Sequence, residues 1–350
     1  MEAAIQQDIR PKPDYGAFLK RTGARMISLS DVGASHNEFF NSLVASRAIE
    51  WAFIPLVFDD SRAQDIVIAG NESFGVALAL DAAVRSDNTT LWVRTTGRLL
   101  QDTLLVSRLR ETANAHFFCS SALLREVILH RSGFSPERVV ATGHYVDSQF
   151  FRPSPCESDT RKVVAFCAGD RAVDTVLSAT AELDVSLTVV SPKLGRNETY
   201  SPKKARRPGR PRLAVAYCSD PLTLRTLLNP AQVVICVSST SDESIEHRGV
   251  AEAMSMGKTV IESQSEWRTG LIEHSRNGIC VEPDSSGALR SAICDLLSNP
   301  AARLRIGITA RNDAARLYSG ELYSWRMEQA IGFSRTCSAS EASGVEHQYM

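Results

Sequence analysis

The sequence predicts an α/β protein built as two Rossmann-like units in tandem, and three observations carry that expectation. A chain of 350 residues exceeds one ordinary domain and fits two, at roughly 150 residues each. Short apolar runs alternate with helix-length segments from about residue 26 onward. The alternation breaks once, at RPSPCESDTRK (152–162), whose Pro, Ser and charge content reads as a linker, and then restarts. The expected organisation is an N-terminal extension at 1–23, a first unit at 24–152, a second at 160–320, a helix at 321–332 and a Ser-rich, aperiodic, disordered tail at 333–350.

In the first unit, MISLS (26–30), WAFIPLVF (51–58), DIVIAG (65–70), TTLWVRT (89–95), AHFFCSS (115–121) and RVVATG (138–143) read as strands. Helical spacing fills the gaps at HNEFFNSLVASRAIE, FGVALALDAAV (74–84), LLQDTLLVSRLRETA (99–113) and SALLREVILHRSG, the last ending at Gly133. In the second unit the strands are VVAFCAG (163–169), VSLTVVS (185–191), RLAVAY (212–217), AQVVICVSS (231–239), KTVIES (258–263) and GICVEP (278–283). Helices are expected over Asp174–Leu183, through PLTLRTLLN, over Ala251–Met256 with a stop at Gly257, and over Ser286–Leu297 and Ala301–Leu317. Strand–helix alternation at this spacing implies parallel sheets covered by helices.

Composition narrows the function classes. Apolar residues at 43% and charged residues at 23% are those of a globular protein, not of a collagenous or mostly disordered one. Lys and Arg total 39 against 40 Asp and Glu, so no global field draws nucleic acid or an anionic membrane, and any such binding rests on a local patch. SPKKARRPGRPR (201–212) is one such patch and reads best as a solvated loop. The Arg-bearing 99–113 segment could touch a membrane surface, although core packing explains its leucines better. The eight cysteines form no C-x-x-C pair and read as small buried hydrophobes in a reducing compartment. With no signal-peptide pattern and no run of apolar residues long enough to span a bilayer, a cytoplasmic location is expected. G-x-S-x-G, P-loop, H-E-x-x-H and G-x-G-x-x-G motifs are all absent from the sequence.

Chemistry concentrates in SSTSDESIEHRGVAEAMSMGKTVIESQSEWRTGLIEHSRNGICVEP (238–283). Its polar start follows a strand end, the edge where open α/β sheets bind ligands, and the next helix aims unpaired N–H groups there. Glu252, in that helix's first turns, either accepts bonds from vicinal hydroxyls such as those of a ribose or simply complements the helix dipole. Gly33, after the first strand, either admits a close backbone approach to a ligand or is a plain turn residue, and His36 follows at the next helix start. His144 reads as a packed or solvated histidine.

GVAEAMSMGKTVI and the segment following it, through NGICVEP, resemble the C-terminal half of family 4 glycosyltransferases. RVVATGHYVDSQFFRP (138–153) is similar to that family's interdomain segment, and AGDRAVDTVLSATAEL (168–183) to the loop and helix opening its nucleotide-binding domain. The resemblance implies the GT-B fold, two Rossmann-like domains facing across a cleft, with the 321–332 helix crossing back to the first. It also implies retaining transfer from a nucleotide-sugar donor to a glycan, lipid-linked or small-molecule hydroxyl, without metal or other cofactor. Nucleic acid is not expected as a partner, and membrane contact is at most peripheral.

Position by position, the family's ribose-holding glutamate matches Glu252, while its other glutamate falls on Ser244. Glu243 and Glu246 flank that place, and Glu246 is taken with Arg171 as the catalytic pair. Arg171, and more weakly Lys193, match the cations on the donor diphosphate, and Gly249 opens the helix. Thr95 and Thr96 stand where the family often has a histidine near the donor sugar, and join Gly33 and His36 on the acceptor side. These departures leave a second reading open: a catalytically impaired relative that binds a sugar nucleotide or serves as a partner subunit.

Overall fold

The computed structural model describes residues 10–12, 15–26, 66–85, 89–112, 114–155, 161–167, 169–190, 212–216, 220–238, 249–265 and 268–332. The strand expected at 26–30, apart from Met26, and that at 51–58 lie outside them, as do most of the basic 201–212 segment and the 333–350 tail. The chain divides into two units, one holding Ala17–Gly143 with Arg326–Gly332, the other holding His144–Trp325 with the stretch before Ala17.

Among the described residues the first unit carries α1 (Gly16–Thr22) and a parallel sheet of four strands in the order β1 (Ile66–Ala69), β2 (Thr90–Arg94), β3 (Ala115–Cys119), β4 (Val139–Ala141). The connecting helices are α2 (Glu72–Arg85), α3 (Thr103–Glu111) and α4 (Ala122–Ser132). Parallel neighbours need such crossovers, and the inner strands are apolar because both faces are covered. Val93, Ala115 and Phe117 are fully buried, and Trp92 stacks on His116 and Phe118 at 4.7 and 4.5 Å between centroids. Helix α4 runs from the Ser121 cap, whose Oγ accepts from Leu124 N at 3.1 Å, to left-handed Gly133 at φ 66°.

The single helix expected over 99–113 is two elements. A 3-10 turn spans Arg98–Gln101, and Asp102 then caps α3 by accepting from Leu105 N at 2.9 Å. The leucine spacing ran through an aspartate whose short carboxylate favours an N-cap over a helix interior. Leu99, Val106 and Leu109 are buried, in line with core packing. The 3-10 turn around Pro136 delivers buried Arg138, whose guanidinium donates to the carbonyls of Leu109, Thr112 and Ala115 at 2.8 Å each and Arg110 at 3.0 Å. Those acceptors include the orphan carbonyls ending α3.

Among its described residues the second unit has a parallel sheet of six strands in the order β10-β9-β8-β5-β6-β7. Its strands are β5 (Lys162–Cys167), β6 (Ser186–Val190), β7 (Arg212–Ala216), β8 (Val233–Val237), β9 (Thr259–Ser263) and β10 (Ile279–Val281). Helices α5 (Asp170–Thr180) and α8 (Ser286–Ser298) cover one face. The other face is covered by α7 (Val250–Ser255) and α9 (Pro300–Leu317), while α6 (Pro221–Leu228) adds Leu224 and Leu228 to that core. Helix α10 (Gly320–Ala330) follows, its residues divided between the two units at Trp325 and Arg326. The segment entering this unit is tied down by Asp147, which accepts from Gln149 N and Phe150 N and from the backbone N of Lys12, and sends Phe150 and Phe151 into the core.

Among the described cysteines, Cys119, Cys167 and Cys236 are buried as expected and Cys280 is half-buried; Cys294, on the outer side of α8, is exposed, so the general burial expectation fails there. Burial pushes the Cys119 and Cys167 thiols up to about 12, which leaves them inert hydrophobes at neutral pH. Replacing Arg138 with Met, which keeps the stem but takes a donor from four carbonyls, of which Leu109 O and Thr112 O keep the backbone N–H groups of Thr112 and Ala115, is expected to lower unfolding free energy by about 2–3 kcal/mol in urea titrations; an unchanged midpoint would contradict this role of Arg138.

Candidate functional site

In the second unit β5 pairs with β6 on one side and β8 on the other, so the strand order reverses between β5 and β8. Loops leaving two adjacent strands in opposite directions open a crevice at the carboxyl edge, where doubly wound sheets take ligands. Three described segments emerge there: Gly169 with the start of α5, Ser238 after β8, and Gly249 with the start of α7.

Gly249 has φ 102°, and a Cβ on it would stand 2.8 Å from the Phe166 ring of β5. Only glycine satisfies both the left-handed backbone and the close approach. The turn is closed by Glu252, whose Oε2 accepts from Gly249 N at 3.1 Å, while Ala253 N donates to Gly249 O at 2.8 Å. Fully buried Val250 and Met254 anchor the short helix in the core. The dipole-complementing role weighed for Glu252 is therefore present in the structure, as the third helical residue reaching back over its own N-terminus.

Arg171 lies in the first turn of α5, 65% exposed, with Nε 3.5 Å from Asp284 Oδ1. Its guanidinium is thus available at the edge of the sheet but already faces one carboxylate. Ser238, Ser263 and Ser265 form a buried hydroxyl cluster where β8 and β9 end: Ser238 Oγ is 2.7 Å from Ser265 Oγ, and Ser263 Oγ accepts from Ser238 N at 3.0 Å and donates to Ser238 O at 3.1 Å. This cluster pins the strand ends from which the site loops leave.

Glu262, on β9, is fully buried; its Oε1 accepts from Thr269 N at 2.7 Å and its Oε2 has no hydrogen-bond partner among the described residues. Burial pushes its carboxyl above the ordinary range, opposed by the Thr269 hydrogen bonds and the Arg268 charge. Thr269 O in turn takes the Nε2 proton of His144 at 3.1 Å, which makes His144 a packed structural histidine.

In the first unit the corresponding carboxyl edge holds Thr95 and Thr96, directly after β2. Thr95 is buried, with Oγ1 accepting from Gly97 N at 2.9 Å and its own N donating to Phe118 O. Thr96 is gripped by Glu72, the first residue of α2, which accepts from Thr96 N and Oγ1 at 2.9 Å each and from Leu99 N at 2.5 Å. Gly33 and His36 of the acceptor-side set lie outside the described residues, as do Lys193, Glu243, Ser244 and Glu246. The structure thus brings Arg171, Gly249 and Glu252 to one sheet edge, and Thr95 and Thr96 to the equivalent edge of the other unit.

Sequence reasoning missed Glu72, Glu262 and the serine cluster. A carboxylate inside the otherwise apolar run VIES was the available signal for Glu262. Glu72, in the turn between a strand and a helix, gave a weaker one. Among the described residues no three His, Cys, Asp or Glu side chains are placed to hold a metal ion, and no helix is long and apolar enough to cross a membrane.

Two units of parallel α/β sheet, the second with its strand order reversing between β5 and β8, match the fold of GT-B glycosyltransferase structures. Residues 216–313 match the family model of glycosyl transferases group 1, placing that signature on the segment carrying Gly249, Glu252 and Glu262. The chain is similar to the crystal structure of HepE from Anabaena in complex with UDP-glucose (TM-score 0.64, 17% identity, covering 77% of this chain and 78% of that one). It is also similar to a sucrose-phosphate synthase from Thermosynechococcus elongatus (TM-score 0.60, 16% identity, 88% and 80%) and a glycosyltransferase from Rickettsia africae (TM-score 0.59, 14% identity, 89% and 84%). No match was found among the curated proteins.

Two predictions follow from the local geometry. Gly249→Ala is expected to destabilise the protein by about 1–3 kcal/mol through backbone strain and the Phe166 contact, read by urea denaturation; full stability would show the turn is not constrained. For Glu262, the unfolded chain loses its proton near pH 4.5 but the folded chain holds it to higher pH. Stability therefore falls as pH rises from 4.5 through the raised folded value. Glu262→Gln should melt above wild type near neutral pH, with the difference shrinking on acidification; parallel pH profiles would contradict it.

Proposed function

We propose that this chain transfers a glycosyl group from a nucleotide-sugar donor to an acceptor hydroxyl, with retention of configuration. The single observation that carries the reading is the group 1 glycosyl transferase match at 216–313, lying on the unit whose strand order reverses between β5 and β8. Glycosyl transfer leaves negative charge on a departing nucleoside diphosphate, and a cation with backbone N–H groups stabilises it. In this reading Arg171 faces the diphosphate, with Lys193 as a second cation. Glu252 holds the ribose hydroxyls from its position beside Gly249, and Glu243, Ser244 and Glu246 complete the donor loop, Glu246 acting with Arg171 at the reacting centre. Gly33, His36, Thr95 and Thr96 serve the acceptor, a glycan, lipid-linked or small-molecule hydroxyl. No metal or other cofactor is invoked. The chain works as a cytoplasmic protein, with at most peripheral membrane contact.

One observation favours a second reading, in which the chain binds a sugar nucleotide without turning it over. Thr95 and Thr96 stand where the resembled family often has a histidine near the donor sugar, and Ser244 stands where it has its other glutamate. Titration with UDP-, GDP- and ADP-sugars, read by thermal shift and by nucleotide release with an acceptor panel, separates the two. Stabilisation by one donor, weakened about 10–100-fold by Glu252→Ala, together with nucleotide release supports transfer. Stabilisation without release supports the binding-only reading. Absence of stabilisation by any donor would overturn both.

A further inference from the structure

Helix α2 begins with a carboxylate that serves another element. Acids in a first turn usually meet the N–H groups of their own helix. In α2 that place is taken by Asn71, whose Oδ1 accepts from Ser73 N at 2.9 Å. Glu72 instead reaches the turn after β2, its Oε2 accepting from Thr96 N and Thr96 Oγ1 at 2.9 Å each and its Oε1 from Leu99 N at 2.5 Å. The reach is short because α2 lies hard against β2, where a Cβ on Gly75 would run into the Val93 side chain. Leu99 is the second residue of the 3-10 turn Arg98–Gln101, and Gly97, which precedes that turn, has no side chain to cap it. Glu72 thus supplies from a neighbouring element the cap that the turn lacks. Gly97 stands at φ 85°, and its N donates to Thr95 Oγ1 at 2.9 Å. A glycine leaves the backbone free to take many conformations, so bonds such as these select the one adopted.

We infer that Glu72 is a positioning residue for the acceptor: it fixes the Thr96–Leu99 turn and, by taking the Thr96 hydroxyl proton, leaves that oxygen able only to receive a hydrogen bond. This role presupposes the proposed transfer and the acceptor-side place given there to Thr95 and Thr96. A threonine hydroxyl has one proton to donate and two lone pairs. With its proton committed to Glu72, Thr96 Oγ1 meets an acceptor hydroxyl as the receiving partner, so that hydroxyl points its proton at Thr96 and keeps a lone pair for the sugar carbon. Buried Thr95 contributes through the shape of the turn. Buried Val93 and Leu99 hold the base of the turn in the core, and what Glu72 adds is the orientation of polar groups at a strand's carboxyl end, where α/β sheets take ligands. Ordering such groups in advance lowers the cost of binding. Glu72 itself touches the turn and not the substrate.

Steady-state kinetics of the full chain test it, with nucleotide release from UDP-glucose, GDP-mannose and ADP-glucose measured in water alone and with a panel of alkyl glycosides and sugar phosphates. Glu72→Gln, which swaps one receiving oxygen for a donating amide, should raise acceptor KM about 10–100-fold. Donor KM and acceptor-free nucleotide release should stay within about twofold of wild type. Thr96→Val, which loses the hydroxyl but keeps the backbone bond to Glu72, should reproduce the rise, and Thr96→Ser should restore near-wild-type values. That pair keeps the test decisive if Glu72→Gln fails to fold. A loss confined to kcat in step with a lower melting temperature, or a donor KM that rises with the acceptor KM, makes Glu72 a structural cap only and overturns the inference. An acceptor KM unchanged in Thr96→Val overturns it as well. A wild-type chain whose nucleotide release no acceptor accelerates removes the transfer reading itself, and this role with it, before any variant is compared.

Discussion

The second unit depends on one constraint: β5 must pair on both sides. Val163, Val164 and Ala165 are fully buried, and the strand hydrogen-bonds β6 along one edge and β8 along the other. Because chain order runs outward from β5 through β6 to β7 before returning to β8, the loops at its carboxyl end part from one another there. That parting is what a ligand can occupy. Both layers of core packing converge on the same strand, Val164 and Phe166 toward α7 and α9, Val163 and Ala165 toward α5 and α8.

Phe166 links this scaffold to the site. Its ring lies under Gly249, so the turn opening α7 is fixed by a core side chain, with Glu252 closing it from above. The same carboxylate that caps the turn is the one assigned to the donor ribose in the proposed function. Those two roles use different oxygens or different lone pairs, and a carboxylate accepts up to about four hydrogen bonds. A residue already held by its own backbone is pre-organised for a ligand, which reduces the ordering cost of binding. Arg171 shows the opposite arrangement: it is largely exposed, and the Asp284 carboxylate stands 3.5 Å from its Nε.

Much of the fold was legible because its signals are local. Continuous apolar runs such as VVICV mark strands buried on both faces, and the Gly133 and Gly257 stops follow from a backbone that only glycine adopts freely. The helix expected over 99–113 came out as two elements because periodicity counts leucines and overlooks Asp102, whose side chain prefers a cap. Gly249 and Glu252 were legible from their place at a helix start after a strand. Glu72 was not, since its grip on Thr96 and Leu99 joins positions more than twenty residues apart, a contact only the packed sheet creates. The orphan oxygen of Glu262 is likewise a property of burial, invisible until the surrounding strands are in place.

The proposed transfer requires the sugar-nucleotide to sit at the β5–β8 edge of the second unit. Amide hydrogen exchange of the full chain, with and without a saturating donor sugar, reads that occupancy, because backbone N–H groups at the starts of α5 and α7 face the edge and report a bound ligand without requiring turnover. Slowed exchange is expected, concentrated at Asp170–Val173 and Gly249–Ala253. Protection absent from both segments while the donor is demonstrably bound, or confined to the first unit's sheet, would contradict it.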